Sequence, residues 1–150
     1  MTRSQFESLV REAMRAIPRR FRERMQNVEI LVEEAPDPAV LADMGFDPGE
    51  VLFGLYQGTP LTERHWGHGN ALPDRITIYQ RPLEEECESE DELFEEICLT
   101  LIHEAGHYFG LSEQDIEGLF GILQRVARMA PAQRAVVLDF LAASTRGTDQ

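Results

Sequence analysis

Phe6, Leu9, Val10, Ala13, Met14 and Ile17 recur every three or four residues until Pro18 interrupts them, the period at which one face of an α-helix repeats. Ser4 followed by Glu7 has the form of a capping box, so the spacing predicts a helix from Gln5 to Ile17, and RRFRERM adds a short turn carrying Phe21 and Met25 inward. The pattern then changes. VEILVEE, from Val28 to Glu34, has the β-branched enrichment of a strand, and APDP closes it. VLFGLYQG from Val51 and RITIYQRP from Arg75 predict two further strands, with Ile76, Ile78 and Gln80 facing opposite to Thr77 and Tyr79. The residues between them, 59 to 74, are rich in Gly, Pro and polar types. They make a connection long for a compact domain, and loops of that kind often carry function.

Helical periodicity returns after Ser89, which forms a second capping box with Glu92. Leu93, Phe94, Ile97, Cys98, Leu101, Ile102, Ala105, Tyr108 and Phe109 follow, apolar around most of the circumference, as expected of a buried central helix. Gly110 ends it, because glycine takes a left-handed conformation without steric cost. Ser112 with Asp115 caps a fourth helix bearing Ile116, Leu119, Phe120, Leu123 and Val126. Pro131 starts a last one, with Ala135, Val136, Leu138 and Leu141 on its apolar side. Helices at both ends and in the centre, with about three strands, make an α+β chain. Its 150 residues suit a single domain over 1–150, with flexible ends.

Charge narrows the partners. Twenty-seven acidic residues against fourteen basic ones give a formal charge of −13, a field that repels phosphate backbones and anionic lipid. Nucleic acid and membrane are therefore not expected partners. The acids Glu90, Asp91 and Glu92 fall in the first turn of the central helix, where they complement the helix dipole. The beginning of the chain lacks the uninterrupted apolar core of a secretory signal, and no apolar run is long enough to cross a bilayer. Cys87 and Cys98 do not form a Cys-x-x-Cys pair, and reduced thiols in a cytoplasm fit them best.

The chemistry is concentrated in LIHEAGHYFGLSEQD, residues 101 to 115. Positions four apart on a helix project from one face, so His103 and His107 can aim ring nitrogens at one point and serve as two zinc ligands. Glu104, one step round, can accept a hydrogen bond from a water on that metal and act as general base. A third ligand must come from nearby. Glu113 lies six residues beyond His107, the spacing at which a third histidine completes the site in metzincins. Asp115 and Glu117 rank behind it, Asp115 because it already has a capping role, and Asp139 is a distant fourth. His65 and His68 form a His-x-x-His in the long loop, where exposed polarity is the ordinary role and contact with substrate or metal the alternative. Tyr79, Arg75 or His65 could stabilise an oxyanion if their segments border the cleft, whereas Tyr108 reads as packing.

The runs LYQGTPLTER, LPDRITIYQRPLE and LIHEAGHYFGLSEQDI together resemble the small bacterial zincin-like metallopeptidase family, over most of the chain. The most specific part is His-Glu-x-x-His-x-x-Gly-x-x-(Asp/Glu). The resemblance implies a zincin-like fold with a short mixed sheet beside the active-site helix, zinc as cofactor, His103, His107 and Glu113 as its ligands and Glu104 as the catalytic carboxylate. Asp is the more usual residue at the place of Glu113, and the extra methylene requires a small adjustment for ligation. The expected activity is zinc-dependent hydrolysis of peptides or proteins by a metal-bound water that Glu104 activates, with an extended substrate along the strand near Tyr79. The alternative is a catalytically silent zinc-binding or peptide-binding module on the same fold. Substrate and oligomeric state are not specified by the resemblance.

Overall fold

A computed structural model describes residues 1–25, 27–47, 49–58, 74–106 and 110–144. In chain order the described elements are α1 (Arg3–Ala16), α2 (Arg19–Arg24), β1 (Val28–Glu33), α3 (Pro38–Asp43), β2 (Gly54–Gln57), β3 (Asp74–Tyr79), α4 (Gln80–Glu86), α5 (Glu90–Gly106), α6 (Glu113–Ala127) and α7 (Pro131–Ser144). The fold is α+β, with helices around a small mixed sheet, as expected.

The first helix starts two residues early. Thr2, not Ser4, is its N-cap: the Thr2 hydroxyl accepts from the Gln5 N–H and the Gln5 side chain accepts from the Thr2 N–H. Gln at the third helical position closes the same reciprocal box that Glu would. Phe6, Leu9, Val10 and Ala13 are buried, as the spacing predicts. The Arg3 guanidinium donates to the Val32 carbonyl and to Gln80 Oε1, each at 2.9 Å, tying this helix end to the sheet.

The three strands form a mixed sheet in the order β1-β3-β2, with β1 parallel and β2 antiparallel to the central strand. Being central, β3 is covered on both faces: Ile76, Thr77, Ile78 and Tyr79 are all buried. The expected alternation of an inner and an outer face along it therefore fails, as it does for strands packed on both sides. RITIYQRP also turns helical sooner than expected, since Gln80 begins α4. That short helix and α3, capped by Asp37, are not anticipated from periodicity, because neither carries a hydrophobic stripe.

α5 is the spine of the core. Phe94, Ile97, Cys98 and Leu101 are completely buried, and full burial of each large aliphatic or aromatic side chain is worth about 1.5–3 kcal/mol. Its N-terminus is capped by the Ser89 hydroxyl on the Glu92 N–H, while the Glu92 carboxylate accepts from Glu88 instead of closing the reciprocal box. Around it pack α1, α6, β2 and β3. Buried Cys98 is part of this core, and burial pushes its thiol well above the ordinary range. Cys87 is pushed up to about 12 by burial and then by Glu92 and its acidic neighbours, so neither thiol is poised for nucleophilic chemistry.

The last helix presents its expected face only in part. Val136 is 69% exposed and Ala135 is also exposed. Leu138 is buried as expected, but Arg134 is buried with it and Val137 packs against the core. Arg134 Nε donates to Glu12 Oε1 at 2.7 Å, Nη1 to Asp91 Oδ1 at 3.3 Å, and the guanidinium lies 4.7 Å from the Phe94 ring centre. One cation thus joins α1, α5 and α7. Among the described residues no helix is long and apolar enough to cross a membrane.

Candidate metal-dependent active site

The site is built where the C-terminal half of α5 meets β2. Glu96, Leu99, Thr100 and His103 follow at i, i+3, i+4 and i+7, so one stripe of the helix faces away from the core. Opposite stand Leu52, Phe53 and Gly54, and the space between is a cleft of about 290 Å³ that reaches Glu104.

The close approach of strand and helix has a steric cause. A Cβ placed on Gly54 would lie 2.5 Å from Thr100 Cγ2 and 3.1 Å from the Thr77 carbonyl oxygen. Only the absence of a side chain lets the backbone pass there. The Thr100 hydroxyl turns the other way, donating to the Glu96 carbonyl at 2.8 Å.

Register then decides which backbone groups meet the helix. The Tyr79 N–H donates to the Phe53 carbonyl, so residues 53, 55 and 57 bond to β3, while Gly54 and Tyr56 direct their N–H and C=O groups to the outer edge. The Tyr56 N–H uses that direction to donate to Glu104 Oε2 at 3.1 Å. The Tyr56 phenol donates to Oδ2 of buried Asp74 at 2.6 Å, fixing the strand against the beginning of β3. Glu104 is thereby held half-buried at the cleft by the main chain. Sequence reasoning missed Gly54 and Tyr56. The glycine inside a strand pattern was the available signal, since it often marks a close backbone approach.

His103 is exposed at the cleft, and its ring meets Phe120 of α6 edge-on at 6.2 Å between centres. Ser112 caps α6 through the reciprocal box with Asp115, both bonds in place. Glu113 is the first helical residue and is exposed. Gly110, at φ +76°, is left-handed as the sequence predicts, and the Leu111 N–H donates to the Gly106 carbonyl at 2.8 Å. His107, Tyr108 and the loop with His65 and His68 lie outside the described residues. Among the described residues no three His, Cys, Asp or Glu side chains are grouped to hold a metal ion. The imidazole of His103 and the neighbouring carboxylates are nonetheless of the donor types that zinc takes.

Tyr79 is buried, with 4% of its surface exposed. Burial raises its phenol above the usual range, with further contributions from Glu33 and Glu104. The expected course of a substrate along this strand is corrected by the topology, since β3 is paired on both edges. Arg75 is exposed on the same strand.

The model of the zincin-like metallopeptidases matches residues 25–121, a span that includes β2, β3, α5 and the start of α6. A search of the curated proteins finds no match. Among solved structures, the chain is similar to a conserved hypothetical protein from Thermo thermophilus, at 20% identity over 78% of this chain and 98% of that one, with a TM-score of 0.48.

Proposed function

The chain belongs to the zincin-like metallopeptidase family, and on that premise we propose that it hydrolyses peptide bonds with zinc held by His103, His107 and Glu113. The observation that carries this reading is Glu104, the residue after His103, fixed at the cleft by the Tyr56 N–H. Zinc, when bound, supplies a Lewis acid and makes water a nucleophile near neutral pH.

The chain's own residues do the rest. Glu104 takes a proton from the attacking water and returns it to the leaving amine nitrogen. The bond from Tyr56 keeps the carboxylate aimed without consuming another side chain. Commitment of Asp115 to the Ser112 cap supports Glu113 as the third ligand. An extended substrate fits the outer edge of β2 better than β3, because Gly54 turns its N–H and C=O outward there.

The test pairs metal analysis with cleavage of a peptide mixture. His103→Ala and Glu113→Ala should bind less zinc than the parent chain, whereas Glu104→Gln should bind as much and cleave nothing. Undiminished cleavage by Glu104→Gln would reject the mechanism. Stoichiometric zinc with no cleavage by the parent chain would leave the silent binding module.

A further inference from the structure

The cleft extends beyond the residues that the reaction uses. From His103 it follows α5 back to Glu96, seven residues and roughly 10 Å of helix rise away, between Leu99 and Thr100 on one wall and Leu52 and Phe53 on the other. The dipole of the helix explains acids in its first turn, Glu90 to Glu92. It does not explain an acid further along, at the end of an apolar groove.

Resting on the peptidase reading, we infer that this groove is a side-chain subsite selecting a Lys or Arg of the peptide next to the scissile bond, with Glu96 as the residue that sets the choice. A long basic side chain lays its aliphatic stem along apolar surface while its charged head reaches a polar group, which is the order of surfaces met here. Two turns of helix match that reach plus the backbone step from the reacting carbonyl.

Glu96 also lacks a compensating charge among the described residues. Burial raises its carboxyl first, then Glu95, Glu92 and Glu86 do. Among the described residues no cation pairs with it. A bound ammonium or guanidinium would provide the missing opposite charge, and the net charge of −13 attracts such substrates from a distance.

The experiment has two arms, each comparing the zinc-loaded full chain with Glu96→Gln. The substitution spares the Thr100 bond, which goes to the main-chain carbonyl of Glu96. In the first arm, products of a peptide mixture are sequenced by mass spectrometry. Basic residues should be enriched at one position beside the cut, and the variant should lose that enrichment by about tenfold, the scale of a hydrogen bond to a charged group. In the second, n-butylguanidinium and uncharged n-butylurea are titrated into isotopically labelled protein. The cation should shift the amides of Leu52, Phe53, Leu99 and Thr100 and bind about tenfold more weakly to the variant, while the urea should not distinguish the two.

Cleavage without basic preference, or a preference that survives in Glu96→Gln, overturns the subsite and leaves the peptidase intact. Glu96-dependent binding of the cation by a chain that cleaves nothing overturns the peptidase and keeps the cation-selective groove. Equal binding of n-butylguanidinium by both proteins overturns the subsite whatever the first arm shows.

Discussion

At position 54 a single hydrogen in place of a methyl group determines how near the edge strand comes to α5. Gly54→Ala should lower stability by about 1–3 kcal/mol, the usual penalty of an overfilled site, read as a fall in thermal midpoint. Adding Thr100→Ser removes the Cγ2 atom in conflict and keeps the hydroxyl, so it should recover part of the loss. Recovery stays partial because the Thr77 carbonyl is also close. Glu96 gives a second prediction at this scale. Its carboxyl is raised in the folded state, so the fold binds that proton more tightly than the unfolded chain, and stability falls as pH rises through the window between the two values. Glu96→Gln should therefore melt higher than the parent at about pH 7 and lose that advantage at about pH 3, below the ordinary glutamate range. An identical difference at both pH values would contradict the assignment. The place of His103 and Glu104 on α5 was legible in the sequence because the apolar period sets the helix that carries them. The Tyr56 N–H was not, since every residue type except proline carries one.

Elements obey their hydrophobic period where the buried face is apolar and depart from it where the face is mixed. α1 and α6 follow the pattern, with Phe6, Leu9, Ile116, Leu119 and Leu123 inward. α7 follows it only in part: Leu138 is buried, but so is Arg134, which any hydropathy reading counts as a solvent residue. That guanidinium binds Glu12 and Asp91 and covers Phe94. Arg134→Ala should destabilise the protein by about 3 kcal/mol, at the lower end for breaking a buried ion pair, as Glu12 and Asp91 retain contact with water. Denaturant unfolding would check it. Arg134→Met, which keeps the stem and fills the space, should recover much of the loss if packing dominates and little if the charges do. The short helices α3 and α4 were illegible for a simpler reason, as six or seven residues hold too few apolar positions to declare a period.

For the molecule as a whole, charge and fold act on different quantities. The excess of acids leaves the α+β architecture alone, since patterning and packing decide it, but it shapes encounter with other molecules. Raising salt should therefore lower kcat/KM for a lysine- or arginine-containing peptide several-fold while leaving kcat nearly constant, because screening weakens attraction and not the chemistry within the cleft. Equal sensitivity of a neutral peptide would assign the effect to something other than steering. The fold class, the longer helices and the three strands could be read from the chain. The neighbour relations across the sheet could not, since strand order depends on long-range pairing that local pattern does not encode.

The anchoring of Glu104 by a backbone donor has an evolutionary and experimental corollary. Replacing Tyr56 with any residue other than proline leaves an N–H at that point, so Tyr56→Ala would report loss of the phenol's bond to Asp74 and not of the contact with Glu104. Lengthening or shortening the segment ahead of β2 by one residue would instead exchange inward and outward amides along the edge. Retention of the Glu104 contact on side-chain change, combined with its loss on such an insertion, would be the mark of a carboxylate support written in strand parity.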